Sequence, residues 1–134
     1  HIPDNWDITE AMINLVKDSI KTISEIKDKL SIFFTYSVNS DSETINKFFN
    51  NDIVILLKEF IFQISNKPLI QSDDFKSLIN KIKSDNNITS NVWKPIRIAL
   101  TNCEVGPDIA KIVEILGPKE CIQRIELFLS THVN

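Results

Sequence analysis

A chain of 134 residues, 43% of them hydrophobic and 25% charged, carries enough apolar side chain to bury a core, which excludes a disordered tail. Only two glycines and five prolines leave few places for tight hairpins, so helices are favoured over sheets. The net charge of −3 excludes a generic polyanion-binding surface, because non-specific nucleic-acid binding needs clustered Lys and Arg; any RNA contact has to be local.

The chain opens on His1 rather than Met and is expected to be a piece of a longer protein. Its start, "HIPDNWDITE", lacks the basic-then-apolar order of a signal peptide, and no apolar run reaches the length of a membrane span. Ile8, Met12, Leu15, Val16, Ser19, Ile20, Ile23, Ile26 and Leu30 recur at spacings of three and four, which predicts one amphipathic helix, capped by Asp7 or Thr9, with Trp6 as a lid. Lys17, Lys21, Lys27 and Lys29 alternate with Asp18, Glu25 and Asp28 and read as a solvated charged face. "SIFFTYSVNSDS" reads as a loop anchored by Phe33 and Phe34. Ser42 opens the next helical stretch, broken near Asn50-Asn51-Asp52. The twelve residues of "IVILLKEFIFQI", with Lys58-Glu59 at their centre, suit a mostly buried helix better than a strand.

Pro68 marks a boundary, and a seam near residues 66–72 is expected to divide the chain into two helical lobes, 1–66 and 67–134. "SDDFKSLINKIKSDNN" starts with Asp73 and Asp74, which complement a helix N-terminus, and ends on Asn86-Asn87. Three shorter helices, roughly 89–102, 107–116 and 118–131, follow from Thr89, Asp108 and the Gly117-Pro118 stop. The fold class is all-α, a bundle of two small lobes.

Catalytic chemistry finds no carrier. The two histidines, His1 and His132, stand at the ends of the chain, and two isolated glycines make no phosphate loop. Cys103 and Cys121 are eighteen positions apart without a CxxC pair, which is too little for zinc and reads as two reduced core thiols in a cytosolic or organelle-matrix protein.

The stretch "WKPIRIALTNCEVGPDIAKIVEILG", residues 93–117, sets Arg97 in an oily helix face and interrupts it with Pro95, Asn102 and Gly106-Pro107. The order Pro95, Ile96, Arg97, Ala99, Leu100, Thr101, then Gly106-Pro107, an apolar run to Leu116 and Gly117, resembles the C-terminal anticodon-binding region of bacterial-type glutamyl-tRNA synthetases. That family runs through a P-[LI]-R-x-A-L-T-G core, a G-P pair and an apolar helix ending in L-G. The likeness is gapless over about twenty-five residues, and looser over 1–65, where a helix ends in an aromatic pair. The catalytic HIGH and KMSKS signatures of the family are not in these residues.

The resemblance implies the tRNA-reading end of a cytoplasmic, monomeric glutamate–tRNA ligase. Its partner would be the anticodon loop of tRNA(Glu), with no DNA and no membrane involved. Glutamate, ATP and magnesium would be handled by a catalytic domain outside this chain, which itself would carry no cofactor, metal or catalytic residue. Carried over position by position, Arg97 reads a base, Gly106 offers a backbone contact, Ile109 an apolar surface, and Thr101 and Pro107 flank them. Ser19, between Lys17 and Lys21, stands where family members often carry an arginine for the last anticodon base; these three are secondary tRNA contacts. Asn102 replaces the glycine of the family and can take the same left-handed turn. An anticodon is an unstacked loop that a planar arginine fork and free backbone N–H groups at the Gly106-Pro107-Asp108 helix start can read. Trp93, at helical spacing from Ile96 and Leu100, reads as core. The rival reading is a helical protein–protein interaction module without RNA contacts, favoured by the acidic net charge; a third is a synthetase paralogue with altered tRNA choice.

Overall fold

The amphipathic stretch expected as one helix from residue 8 to 30 forms two. In the computed structural model, which describes residues 2–38 and 41–132 without the side chain of Ser42, α1 spans Glu10–Val16 and α2 spans Glu25–Phe34. Thr9 caps α1 by accepting the Met12 N–H at 3.3 Å. A 3-10 turn, Lys17–Ser19, then runs into Ile20 in extended backbone. The break is chemical: the Glu25 Oε2 atom accepts the N–H groups of Lys21 and Thr22, both at 2.7 Å, and the Thr22 hydroxyl at 3.2 Å. Thr22-x-x-Glu25 has the spacing of a capping box and forms only its glutamate half, since the Glu25 N–H donates to the Thr22 carbonyl at 3.1 Å; it is a start signal inside an apparently continuous pattern. Ile23, counted by periodicity as core, is 86% exposed at the bend.

Phe33 and Phe34 close α2 rather than anchoring a loop, and Trp6 stacks on Phe34 at 4.8 Å. Next come α3, Ser42–Phe48, capped by Asp41, and α4, Asn51–Ile64, capped by Asn50, so the expected break at Asn50 is there. Helix α4 buries Ile53, Leu56, Leu57, Phe60 and Ile64 but exposes Ile55 and Phe62, so one face is buried rather than most of it. Helix α5, Ser72–Asp85, opens with the two expected aspartates and ends at Asn86, with Asn87 at φ 56. Helix α6, Trp93–Thr101, starts four residues after Thr89, with Val92 as its N-cap and the Asn91 side chain just ahead accepting the Trp93 N–H at 3.0 Å. Helix α7, Ile109–His132, is interrupted at Gly117, whose φ of 83 and ψ of 163 suit only glycine, and Pro118 reopens it.

Helices α4, α5 and α6 pack on α7, and α1 and α2 also touch it. Buried residues on both sides of the expected seam, among them Leu30, Leu56, Phe75, Leu100 and Phe128, belong to one apolar cluster. Among the described residues there is no strand.

Candidate nucleic-acid interface

The site is built by the way α6 begins and ends. Pro95 lies in the first turn of α6, where its missing N–H costs nothing; it starts the helix and does not kink it. Helix α6 stops at Asn102, left-handed with φ 60 and ψ 25, whose N–H donates to the Ile98 carbonyl at 2.8 Å. The substitution of asparagine for the glycine of the family thus keeps the turn. Thr101 locks the same corner. Its hydroxyl donates to the Arg97 carbonyl at 2.8 Å and accepts the Cys103 N–H at 3.2 Å, so its hydrogen bonds are spent inside the protein. The loop closes on Asp108, which starts the next helix by accepting the Ala110 N–H at 3.0 Å.

That corner brings Gly106 onto Arg97. A methyl group at position 106 would come within 3.0 Å of Arg97 Nη1, so glycine here supplies room for the guanidinium. Arg97 is not sunk in an oily face, as its sequence neighbours suggested; it is half-buried at the surface. Partial burial pulls its pKa below its ordinary value, and Asp108 and Cys103 oppose that shift. It remains a cation with part of its hydration already removed.

Two grooves flank this corner. One, of about 350 Å³, is lined by Lys76, Trp93, Arg97, Asp108, Ile109 and Ala110. The other, of about 620 Å³, runs between the 103–107 loop and the α1–α2 bend, past Ser19, Gly106 and Pro107, with Asp18, Glu25 and Asp28 against Lys29. Arg97 and Ile109 therefore share one groove, while Ser19, Gly106 and Pro107 share the other. Ile109 is 7% exposed and offers only an edge. The Ser19 hydroxyl donates to the Val16 carbonyl at 2.8 Å. Lys17 and Lys21 are exposed and line neither groove. Cys103, expected in the core, is exposed because it follows the Asn102 turn into the loop; Cys121 is buried, and burial pushes its thiol up to about 12. Trp93 packs edge-on against Phe75 at 6.0 Å yet keeps part of its surface in the groove.

The fully buried cation is Arg124, which sequence reasoning missed. At 3% exposure it donates through Nη1 to the carbonyls of Ile32 at 2.8 Å and Leu100 at 3.0 Å, and through Nε to Glu120 at 2.8 Å. Its guanidinium lies 5.1 Å from the Tyr36 ring centre, and the Tyr36 hydroxyl donates to the Ala99 carbonyl at 2.5 Å. Arg124 thereby ties the last turns of α2 and α6 to α7, behind the corner that carries Arg97. Its position four residues from Glu120 was the only local signal.

The described residues form no cluster of three or more His, Cys, Asp or Glu side chains able to hold a metal ion, and none of their helices is long and apolar enough to cross a membrane.

The model of the anticodon binding domain family matches residues 3–129. The chain belongs to that family. The domain is similar to glutamate–tRNA ligase 2 of Caldicellulosiruptor saccharolyticus, 25% identical over 121 residues covering 90% of this chain and 25% of that protein. It is also similar to the glutamate–tRNA ligase of Sulfurihydrogenibium sp., 28% identical over 127 residues covering 93% of this chain and 27% of that protein. The domain spans about a quarter of the length of these curated relatives. A crystal structure of a glutamate tRNA ligase from Elizabethkingia meningosepticum, in complex with its amino acid, shares its fold with a TM-score of 0.82 at 21% identity. The match covers 96% of this chain and 26% of that one.

Proposed function

We propose that the domain reads the anticodon of tRNA(Glu) and positions that tRNA for ATP-dependent glutamylation by a catalytic domain lying outside these residues. The observation that carries the reading is the Arg97 guanidinium seated against Gly106 at the mouth of a groove, in a chain of the anticodon-binding family. An arginine already partly stripped of water, and fixed beside a turn, can present its planar fork to a base edge at little further cost. In this reading the first lobe, residues 1–66, contributes Ser19, and the second, residues 67–134, contributes Arg97, Gly106, Pro107 and Ile109. Thr101 acts indirectly, by holding the corner. Lys17 and Lys21 act at longer range as cations for the RNA backbone. The ligase works as a monomer in the cytoplasm, and glutamate, ATP and magnesium meet it only through the catalytic domain.

An NMR shift titration with the anticodon stem-loop of tRNA(Glu) at low salt, repeated with an altered anticodon, tests this. Shifts should centre on Arg97 and residues 106–109 and fade with the altered loop. Arg97→Ala should weaken binding about tenfold, the scale of one lost bidentate base contact. Unchanged affinity of Arg97→Ala at fixed salt would remove the site assignment.

A further inference from the structure

Helix α6 ends on two carbonyls that side chains from elsewhere in the chain take up. The Ile98 carbonyl accepts the Asn102 N–H, but the Cys103 N–H, which would continue the ladder to Ala99, goes to the Thr101 hydroxyl instead. Ala99 receives the Tyr36 hydroxyl at 2.5 Å, and Leu100 receives Arg124 Nη1 at 3.0 Å. The bonds of Thr101 and Asp108 stay inside the corner, whereas these two reach it from outside. Tyr36 stands two residues past the end of α2 and four past Ile32, whose carbonyl also accepts Arg124. Its ring lies 5.1 Å from the Arg124 guanidinium, so the two prongs brace one another. Burial, opposed by Arg124, lifts the Tyr36 phenol to about 12, and it stays an O–H donor through neutral pH. Ile96, Ile98, Ala99 and Leu100 bury the inner side of α6, but apolar burial is non-directional and resists separation more than rotation. A hydrogen bond adds direction.

We infer that Tyr36 is a positioning residue for anticodon choice: its hydroxyl, through the Ala99 carbonyl, sets the rotation of the last turn of α6 and thereby the seat of the Arg97 guanidinium against Gly106. The inference rests on the anticodon-reading proposal above and deepens it by adding a residue that acts through Arg97 rather than on the RNA. A fork that reads a base edge tolerates little misplacement, since both of its donors must meet the edge at once. A small rotation of α6 moves Arg97 off Gly106. The correct loop then loses a hydrogen bond that an altered loop never made, so Tyr36 governs choice more than general affinity. It also makes that choice depend on where α2 ends, because the hydroxyl is delivered from there.

The test compares two substitutions in this 134-residue chain. Tyr36→Phe keeps the ring against Arg124 and removes only the O–H. Thr35→Val removes the neighbouring hydroxyl, which donates to the Ser31 carbonyl at 3.0 Å within the end of α2, and serves as the control. In the free domain, Tyr36→Phe should shift the NMR signals of the Arg97 Nε–H and the Gly106 N–H, and Thr35→Val should leave both in place. With the anticodon stem-loop of tRNA(Glu), Tyr36→Phe should lower the ratio of affinities for the correct and an altered loop about fivefold, the scale of one hydrogen bond. In an Arg97→Ala background the same substitution should lower the ratio no further, because the residue through which it acts is gone. Arg97 and Gly106 signals that do not move, a ratio that Thr35→Val lowers as much, or a Tyr36→Phe effect that persists without Arg97 would each overturn the inference while RNA binding by the domain stands. No binding of the stem-loop to the unmodified domain at low salt would overturn both this inference and the reading beneath it.

Discussion

At the scale of single residues, the two arginines divide the labour. Arg97 is placed to work outward, whereas Arg124 works inward, on carbonyls that α2 and α6 leave unpaired at their C-terminal turns. Replacing Arg124 by methionine keeps length and apolar stem but deletes three charge-assisted hydrogen bonds; the expected loss is about 3 kcal/mol, read from urea unfolding. Arg124→Lys should recover little of it, since one ammonium cannot reproduce the fork that spans two carbonyls and a carboxylate. Sequence could not rank these arginines, because both sit among apolar residues at helical spacing. Burial was decided by partners 92 and 24 positions away. What sequence did show was Arg97 beside the Gly106-Pro107 turn, since the family pattern spans both. It did not show the use of Gly106, which depends on where the guanidinium ends.

At the scale of elements, several helix starts were legible from a side-chain cap standing before an apolar run, although Thr89 was not one of them. Thr9, Asn50 and Asp108 all do what their chemistry suggests. The α1–α2 break was hidden because Ile20, Ile23 and Ile26 continue the helical period straight through it. Only the Thr22-x-x-Glu25 pair contradicts that period. The Glu25 carboxyl is held below its ordinary pKa of 4.5 by hydrogen bonds from the Lys21 and Thr22 N–H groups. A depressed carboxyl stabilises the folded state above its unfolded pKa, and the contribution disappears as pH falls through the lower folded value. Glu25→Gln should therefore lower the urea midpoint at pH 7, and the gap to the unmodified domain should close below pH 4.5. A gap that persists into acid would mean that the break is held by packing instead. The bend matters to the site, since Ser19 and Glu25 line the larger groove.

At the scale of the whole molecule, α7 is the element on which α1, α2, α4, α5 and α6 converge, and it carries buried residues from Ile109 to Leu129. The composition foretold an all-α protein, because scarce glycine and proline with abundant Ile and Leu leave few other options. The arrangement of the helices around α7 was not foretold, since nothing local distinguishes a central helix from a peripheral one of similar apolar content. Lobes that share one apolar cluster should unfold together. Trp6 reports on the first and Trp93 on the second, so Trp6→Phe and Trp93→Phe variants, each followed by fluorescence, should show the same urea transition midpoint after correction for the stability change of each substitution. Two separate midpoints would mean that the lobes are independent folding units.

The place of Arg124 near the end of the final helix also sets an order of events in the life of the chain. A ribosome releases α1 and α2 well before it delivers the residues beyond Gly117, with α6 following only shortly ahead of them, and until Arg124 emerges the Ile32 carbonyl lacks its guanidinium partner. The nascent domain therefore cannot lock the corner bearing Arg97 as it emerges. The corner proposed to face RNA is thus completed by a side chain that lies behind it.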